Sequence, residues 1–193
     1  MILYLGLDPS RFPRPVIHYP VIRTMLLEGP ELKNALALWP QFTHVVFTSR
    51  TSVQYWKEDL EGKTVIAIGD ATAEMLGHPL IATQSTQEGV IELLKTLDLN
   101  NAYLFLPRSR LARTAITDYL EQNRVRFLAL DLYDTVCQRL EPVPNLDEFS
   151  EIVFTSPSTV DGFLRIYGNL PRDKILTSIG PITEKHIRRT LHG

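Results

Sequence analysis

Residues 45–53 (VVFTSRTSV) and 152–160 (IVFTSPSTV) are two versions of one stretch, and this repeat decides the fold. In each copy a short apolar run predicts a buried β-strand, and the hydroxyl-bearing residues after it are typical of the start of a helix. A second repeat follows each copy, Ala-Ile-Gly at 67–69 and Ser-Ile-Gly at 178–180. Duplicated strand, loop and helix units predict two domains of common ancestry.

Predicted strands alternate with predicted helices through the middle of the chain, the strands lying at 44–48, 64–68, 80–82, 102–106 and 125–130. This alternation with short connections is typical of a parallel sheet that helices cover on both faces. In such sheets ligands bind at the loops beyond the carboxyl ends of the strands. The predicted fold class is therefore α/β, with flavodoxin-like or Rossmann-like parallel-sheet domains.

Two extended runs mark the domain boundaries. Residues 16–22 contain a proline that a central strand would not accept, and we expect them to pair with residues 132–138 as a two-stranded β-ladder joining the domains. Residues 22–137 then form an inserted central α/β domain, and residues 1–21 and 138–193 form a discontinuous terminal domain. Because the inserted domain takes more than half of the 193 residues, the terminal domain is expected to be reduced.

Composition excludes several classes of protein. The apolar fraction of 44% excludes disorder, and a net charge of -2 gives no reason to expect a nucleic-acid partner. Cys137 is the sole cysteine in the sequence, which indicates a reducing compartment, and no apolar stretch approaches the roughly 20 residues of a membrane helix. We expect a cytoplasmic protein without a membrane or nucleic-acid partner. The scattered histidines predict no metal site.

The two Phe-Thr-Ser loops are the leading candidates for ligand contact. Ser49 and Ser156 can cap the helices that follow them, but their hydroxyls and the free amides beside them also suit a carboxylate or phosphate. Gly69 and Gly180, at the ends of other strands, allow a ligand to approach the backbone closely, although turns need glycine in any case. The chain has neither a G-x-G-x-x-G nor a P-loop motif, which argues against dinucleotides and nucleoside triphosphates.

Local signals also predict how two helices begin. Asp70 is a candidate N-cap for a helix that follows the second central strand, and it is too isolated to form a receiver-like metal site. Ser85 and Glu88 have the spacing of a capping box ahead of the next helix.

Arg108, Arg110 and Arg113 form the densest positive cluster of the chain. They are placed either to bind carboxylates in a bidentate manner or to lie on a solvated helix face. Tyr133 lies where the second extended run begins. Its phenol can donate a proton to a leaving group from the domain junction, or the residue serves packing.

Together these residues resemble the uroporphyrinogen-III synthase family. The resemblance covers about residues 16–186 and rests, in chain order, on the twin Phe-Thr-Ser loops and on residues 68–73 (IGDATA), 86–89 (TQEG), 106–108 (LPR), 132–135 (LYDT) and 178–183 (SIGPIT). Each motif is weak alone, whereas the ordered set is specific.

The resemblance implies a bilobal enzyme with its active site in the cleft between two α/β domains. The family cyclises hydroxymethylbilane to uroporphyrinogen III with loss of water and inversion of the last pyrrole, without metal or organic cofactor. The resemblance implies that Tyr133 is the candidate general acid. The substrate-binding candidates are Ser49, Arg50, Gly69, Thr72, Thr86, Arg108, Ser156, Gly180 and Thr183.

The sequence also departs from the family pattern. Residues 7–15 are too rich in proline for the helix that normally follows the first strand, and a strand and helix expected after the second glycine loop do not follow. An alternative function therefore stays open, a non-catalytic synthase-like module that binds a tetrapyrrole or a small polycarboxylate. For the enzyme, the resemblance implies a monomer that receives hydroxymethylbilane from hydroxymethylbilane synthase.

Overall fold

The structure is a computed structural model and describes residues 1–192. The strands are β1 (Ile2–Tyr4), β2 (Ile17–His18), β3 (Ile22–Leu26), β4 (His44–Phe47), β5 (Thr64–Ala67), β6 (Leu80–Ile81), β7 (Tyr103–Ser109), β8 (Arg126–Cys137), β9 (Glu151–Phe154) and β10 (Ile175–Ser178). The α-helices are α1 (Pro30–Leu38), α2 (Arg50–Tyr55), α3 (Asp70–Ala73), α4 (Gln87–Leu94), α5 (Ala115–Gln122), α6 (Pro157–Tyr167) and α7 (Pro181–His192).

The chain divides into two compact units. The central unit is Met25–Asp134, and the terminal unit combines Met1–Thr24 with the chain from Thr135 onward. The central unit begins at residue 25, against 22 in the sequence-based division, and ends at residue 134, against 137.

The central unit is built on a sheet with the strand order β3-β8-β7-β4-β5-β6, in which β8, β7, β4, β5 and β6 pair in parallel. Side chains from alternate positions of β7 enter two separate cores. Tyr103 and Phe105 pack with Trp39 and Trp56 on one face, whereas Leu104 packs with apolar helix residues on the other. Both faces are therefore buried, as a parallel sheet covered by helices requires.

The terminal unit has a four-stranded sheet in the order β10-β9-β1-β2, and every neighbouring pair is parallel. Its core includes Leu3, Ile152, Phe154 and Phe163, each with no exposed surface. Together the two sheets confirm the predicted α/β class with parallel sheets.

The first extended run differs from the prediction. Ile17 and His18 form β2, which pairs in parallel with β1 in the terminal unit rather than with residues 132–138. The expected ladder with residues 132–138 forms from the end of the run onward: Ile22 begins β3, which neighbours β8 in the sheet. Gln138, directly after β8, donates its backbone N–H to the carbonyl of Val21, and Leu27 donates to the carbonyl of Leu132. Pro20 separates the two stretches because it has no N–H with which to continue a ladder.

Two predicted helix starts are also wrong. Gly69, not Asp70, is the N-cap of α3, and Asp70 is the first residue of that helix. Thr86, not Ser85, is the N-cap of α4, and its Oγ1 accepts the N–H of Gly89 at 3.1 Å. Both errors are of one residue, which is the precision to which helix ends can be placed.

Candidate active site

Each unit places a capping serine beside a glycine at the carboxyl edge of its own sheet. In the central unit Phe47 is paired with Ala67, and Ser49 and Gly69 lie two residues beyond them. In the terminal unit Phe154 is paired with Ser178, and two residues further on lie Ser156 and Gly180. The repeated sequence therefore occupies equivalent positions in the two sheets, at the edge where open α/β sheets bind ligands.

In the central unit, three hydroxyls lie in a row. Ser49 is the N-cap of α2, and its Oγ accepts the N–H of Ser52 at 3.0 Å. The same Oγ lies 2.9 Å from the phenolic oxygen of Tyr133 and donates to Ser52 Oγ at 3.1 Å. Ser52 can accept because its own proton goes to the carbonyl of Ser49, at 2.8 Å. The capping serine thus connects the helix start to Tyr133.

Tyr133 is held rigidly at this position. It is only 6% exposed, and its ring packs against that of Tyr55 with the centroids 5.9 Å apart. Its backbone carbonyl accepts the N–H of Arg110 at 2.9 Å. With the Ser49 proton directed to Ser52, the phenol of Tyr133 donates to Ser49 Oγ, and packing together with this hydrogen bond fixes the orientation of a group that can donate a proton.

Gly69 serves a contact within the protein. A Cβ at this position would lie 2.0 Å from Ser85 Oγ, so the side chain of Ser85 occupies the space through which a ligand would approach this glycine. Thr72, in the following helix, is 4% exposed and donates its N–H to the carbonyl of Gly69. Sequence reasoning missed Ser85 as the neighbour of Gly69, since only the pairing of β5 with β6 brings the two loops together.

The three clustered arginines all bind carboxylates of the central unit. Arg108 Nε donates to Asp131 at 2.9 Å, and Arg110 donates to Asp134 at 3.2 Å. The third, Arg113, makes a bidentate pair with Glu88. Arg108 is the last residue but one of β7 and the other two lie in the loop before α5, so none of the three lies on a helix face, although Arg110 and Arg113 are half-exposed.

The three ion pairs differ in whether a ligand could reach the arginine. Arg108 and Arg110 line a cavity of about 380 Å³ together with Asp131 and Glu31. The pair of Arg113 with Glu88 lies beside the cap of α4, and the hydrogen bonds from Arg113 lower the pKa of Glu88 to about 2. Arg108 and Arg110 are therefore the arginines whose partners a substrate carboxylate could replace, and Arg108 is the more buried of the two.

In the terminal unit, Ser156 takes part in a complete capping box. Its Oγ accepts the N–H of Thr159 at 3.3 Å, while Thr159 Oγ1 accepts the N–H of Ser156 at 3.2 Å. Thr183, in α7, is 3% exposed, whereas a Cβ on Gly180 would meet nothing within 4 Å. Gly180 therefore leaves open space at this edge of the sheet.

The remaining candidates lie at helix starts. Arg50 is the first residue of α2 and is partly buried, and Thr86 is an exposed N-cap. The sequence did carry a signal for the missed residues Ser52 and Thr159, because both repeats have a hydroxyl three residues after the capping serine.

Within residues 1–192, no group of three or more His, Cys, Asp and Glu could hold a metal ion. No described helix is both long and apolar enough to cross a membrane.

The fold and these loops define a class of protein: two parallel-sheet α/β units from a duplicated motif, with hydroxyls, glycines and paired arginines at the carboxyl edges. The family model of uroporphyrinogen-III synthase HemD matches residues 14–190. The chain belongs to the uroporphyrinogen-III synthase family.

Individual relatives agree with this assignment. A putative uroporphyrinogen-III synthase of Methanothermobacter thermautotrophicus is 26% identical over 176 aligned positions, and the match covers 77% of this chain and 69% of the relative. The crystal structure of uroporphyrinogen-III synthetase from Helicobacter pylori has a TM-score of 0.68 at 18% identity, covering 97% of this chain and 87% of the other. A mutant uroporphyrinogen III synthase from Thermus thermophilus has a TM-score of 0.64 at 17% identity, covering 97% and 88%.

Proposed function

We propose that the protein cyclises hydroxymethylbilane to uroporphyrinogen III, as a carbon–oxygen lyase of tetrapyrrole and heme biosynthesis. The observation that carries the proposal is the family match over residues 14–190, which includes both Phe-Thr-Ser loops and Tyr133. The match supports an enzyme that acts on a small molecule. The particular reaction, a monomeric state and transfer of the substrate from hydroxymethylbilane synthase stay predictions.

We infer that Tyr133 assists the leaving group. Its phenol donates a proton to the hydroxymethyl oxygen, the carbon–oxygen bond breaks, and water departs from a cation that the pyrrole stabilises by resonance. The substituted carbon of the last pyrrole attacks this cation and the ring rearranges to the inverted product. The proton released on ring closure restores the phenol, so the net change is loss of one water. Most of the catalysis is then positioning, with general-acid help.

The proposed substrate carries carboxylates on every pyrrole, and these need polar partners. Arg108 is the proposed partner from the central unit, since it is partly buried and lines the cavity of about 380 Å³. We propose that Arg50, Thr86, Ser156 and the backbone beside Gly180 supply further contacts at the helix starts, whereas Ser85 fills the space beside Gly69. Thr72 and Thr183 are buried, and we propose that they support these loops without contacting the substrate.

The test is an assay of product isomers with a matched pair of variants. Hydroxymethylbilane closes unaided to the uninverted isomer, so isomer III above the blank supports the proposal and isomer I alone contradicts it. Tyr133→Phe should slow isomer III formation by on the order of 10²-fold. The variant should remain folded, as a cooperative thermal unfolding transition would show. Tyr119→Phe removes a phenol from α5 in the same unit and should react at the wild-type rate.

The alternative function, a non-catalytic module for a tetrapyrrole or a small polycarboxylate, is favoured by one observation. All three clustered arginines are paired with carboxylates of the protein, which lowers the positive charge available to a substrate. Calorimetric titration with uroporphyrinogen III distinguishes the two functions. Binding without any isomer III formation would support the module, whereas turnover excludes it.

A further inference from the structure

Strands β7 and β8 of the central unit pair in register along most of their length and then shift by one residue. They pair one to one from their first residues as far as Arg108 with Asp131. The next pair is Ser109 with Tyr133, so Leu132 is an extra residue on β8. Two residues of β8 therefore oppose one residue of β7, which is a β-bulge.

The bulge decides which face of the sheet receives the side chain of Tyr133. Side chains of a regular strand alternate between the two faces, and β8 follows this rule up to the bulge. Leu130 and Leu132 lie in one core of the central unit, whereas Phe127 and Ala129 pack against the core on the other face. Tyr133 directly follows Leu132, yet it lies in the same core as Leu132. Continued alternation would have placed it on the opposite face.

The face on which Tyr133 lies is the face that α2 covers. Val53 and Tyr55 of α2 pack against the same core, and the ring of Tyr55 contacts that of Tyr133. Ser49, the N-cap of this helix, lies 2.9 Å from the phenolic oxygen. Residues of α4 and α5 form the core on the opposite face. A regular β8 would therefore direct the phenol toward α4 and α5 and away from Ser49.

Ser109 holds the backbone on the β7 side of the bulge. Its Oγ accepts the N–H of Leu111 at 3.1 Å, and its carbonyl accepts the N–H of Ala112 at 3.0 Å. In the same turn, Arg110 donates its N–H to the carbonyl of Tyr133 at 2.9 Å. The turn that ends β7 and the backbone of the bulge are therefore joined by hydrogen bonds.

Pro107 also favours an irregular ladder at this end of β7. It has no N–H to give to a neighbouring strand, and prolines within sheets occur at edges, at strand starts and at bulges. Strand β7 is not an edge, since β8 and β4 flank it. The proline thus stands two residues before Ser109, where a bulge accounts for its presence.

We propose that the β-bulge at Leu132 positions the phenol of Tyr133 for proton donation, and that Ser109 is a positioning residue because it holds this bulge. Bulges redirect side chains in this way beside functional sites. The proposal rests on the proposed function, in which the phenol protonates the hydroxymethyl oxygen as water leaves. Ser109 itself does not contact the substrate and acts only through the direction of Tyr133.

The test is Ser109→Ala in the assay of product isomers formed from hydroxymethylbilane. Alanine removes the side-chain acceptor for the Leu111 N–H and so loosens the turn beside the bulge. We expect kcat for isomer III to fall about tenfold and KM to change by less than about twofold, because the phenol serves the chemical step. In the Tyr133→Phe background Ser109→Ala should cause no further loss, because the group that it positions is absent.

Two matched variants accompany Ser109→Ala. Ser109→Asn supplies a side-chain carbonyl that can accept the same N–H, and it should restore most of the rate. Asp98→Ala removes a bond of the same kind, from the N–H of Asn100 to Asp98 Oδ1 at 3.1 Å, in the loop before β7. This control should react at the wild-type rate. Circular dichroism confirms that each variant is folded.

A second readout does not require turnover. Amide hydrogen exchange at Arg110, whose N–H binds the Tyr133 carbonyl, should be faster in Ser109→Ala than in the wild type or in Ser109→Asn. The coupling between Ser49→Ala and Tyr133→Phe in urea unfolding should be smaller in the Ser109→Ala background. If the wild type forms no isomer III, the proposed function fails, while these two measurements still decide whether Ser109 positions Tyr133.

Several outcomes overturn the proposal. An unchanged kcat in Ser109→Ala would exclude Ser109 from positioning the phenol, and an equal fractional loss in the Tyr133→Phe background would show that it acts independently of this group. Failure of Ser109→Asn to restore the rate would exclude the bond to Leu111 as the cause. Unchanged exchange at Arg110 together with undiminished coupling would mean that Ser109 does not hold the bulge.

Discussion

The two Phe-Thr-Ser loops have nearly the same sequence and the same position in their sheets, but their serines have different partners. Ser156 in the terminal unit forms a capping box with Thr159, so its hydrogen bonds lie within a stretch of four residues. Ser49 in the central unit caps α2 and also contacts the phenol of Tyr133, 84 residues away. In the terminal copy the hydrogen bonds of the serine are local, whereas in the central copy they also join the helix start to a candidate catalytic group.

The difference shows that a duplicated motif can keep its local role while one copy acquires a second. Capping needs only a hydroxyl and the N–H three residues later, which both copies have. The contact with Tyr133 needs a strand at the correct place in the sheet, which β8 supplies to the central unit. The following predictions test how far this difference between the loops extends.

The largest expected effect comes from the phenylalanine that precedes each loop. Phe47 and Phe154 are at most 1% exposed, and we expect Phe47→Ala and Phe154→Ala each to destabilise the protein by about 3–5 kcal/mol. Hydrogen exchange should locate the loss of protection in β4 and β7 for the first variant and in β9 and α6 for the second. If each variant loosened both units equally, the two loops could not be treated as separate structures.

The capping serines should differ in the second prediction. Ser156→Ala removes a cap and should cost about 1 kcal/mol in free energy of unfolding. Ser49→Ala should cost about 2 kcal/mol, since it also leaves the buried hydroxyl of Tyr133 without this partner.

A double-mutant cycle with Tyr133→Phe checks the reason for this difference. Urea unfolding of Ser49→Ala, Tyr133→Phe and the double variant should give a coupling of at least about 0.5 kcal/mol, whereas Ser156→Ala should add to Tyr133→Phe without coupling. Additivity in both cycles would mean that the contact between Ser49 and Tyr133 contributes nothing to stability.

The smallest effect is expected beside the cap of α4. The bidentate bonds from Arg113 lower the pKa of Glu88 from 4.5 to about 2. A carboxyl group whose pKa is lower in the folded state than in the unfolded state stabilises the fold at pH values above its unfolded pKa. For Glu88 this contribution is lost as the pH falls from about 4.5 to about 2. Both side chains are half-exposed, so the effect is small.

Urea unfolding between pH 2 and pH 6 measures this effect. In Glu88→Gln the free energy of unfolding should fall less steeply than in the wild type as the pH decreases from about 4.5 to about 2. Glu92→Gln removes an exposed carboxyl from the same helix and should leave that side closer to the wild type. Identical profiles for Glu88→Gln and the wild type would show that this ion pair does not stabilise the α4 start.

Much of the fold follows from patterns that span a few residues. Alternating apolar runs gave the parallel strands, and the repeats at 45–53 and 152–160 gave their equivalent places in two sheets. The sequence failed where two solutions were locally equal. The local pattern favours Asp70 over Gly69 as the N-cap of α3, and it pairs residues 17–18 with β8, whereas they pair with β1.

The candidate site divides in the same way. The sequence by itself determined that Ser49 and Ser156 cap helices, since a cap needs only a hydroxyl and an amide three residues apart, and it determined that Arg108 and Arg110 lie near the end of a strand. Only the tertiary structure decided that Tyr133 contacts Ser49, that Asp131 pairs with Arg108, and that Ser85 fills the space beside Gly69. These contacts depend on the order of strands in a sheet, which brings together residues distant in the chain and which no local pattern encodes.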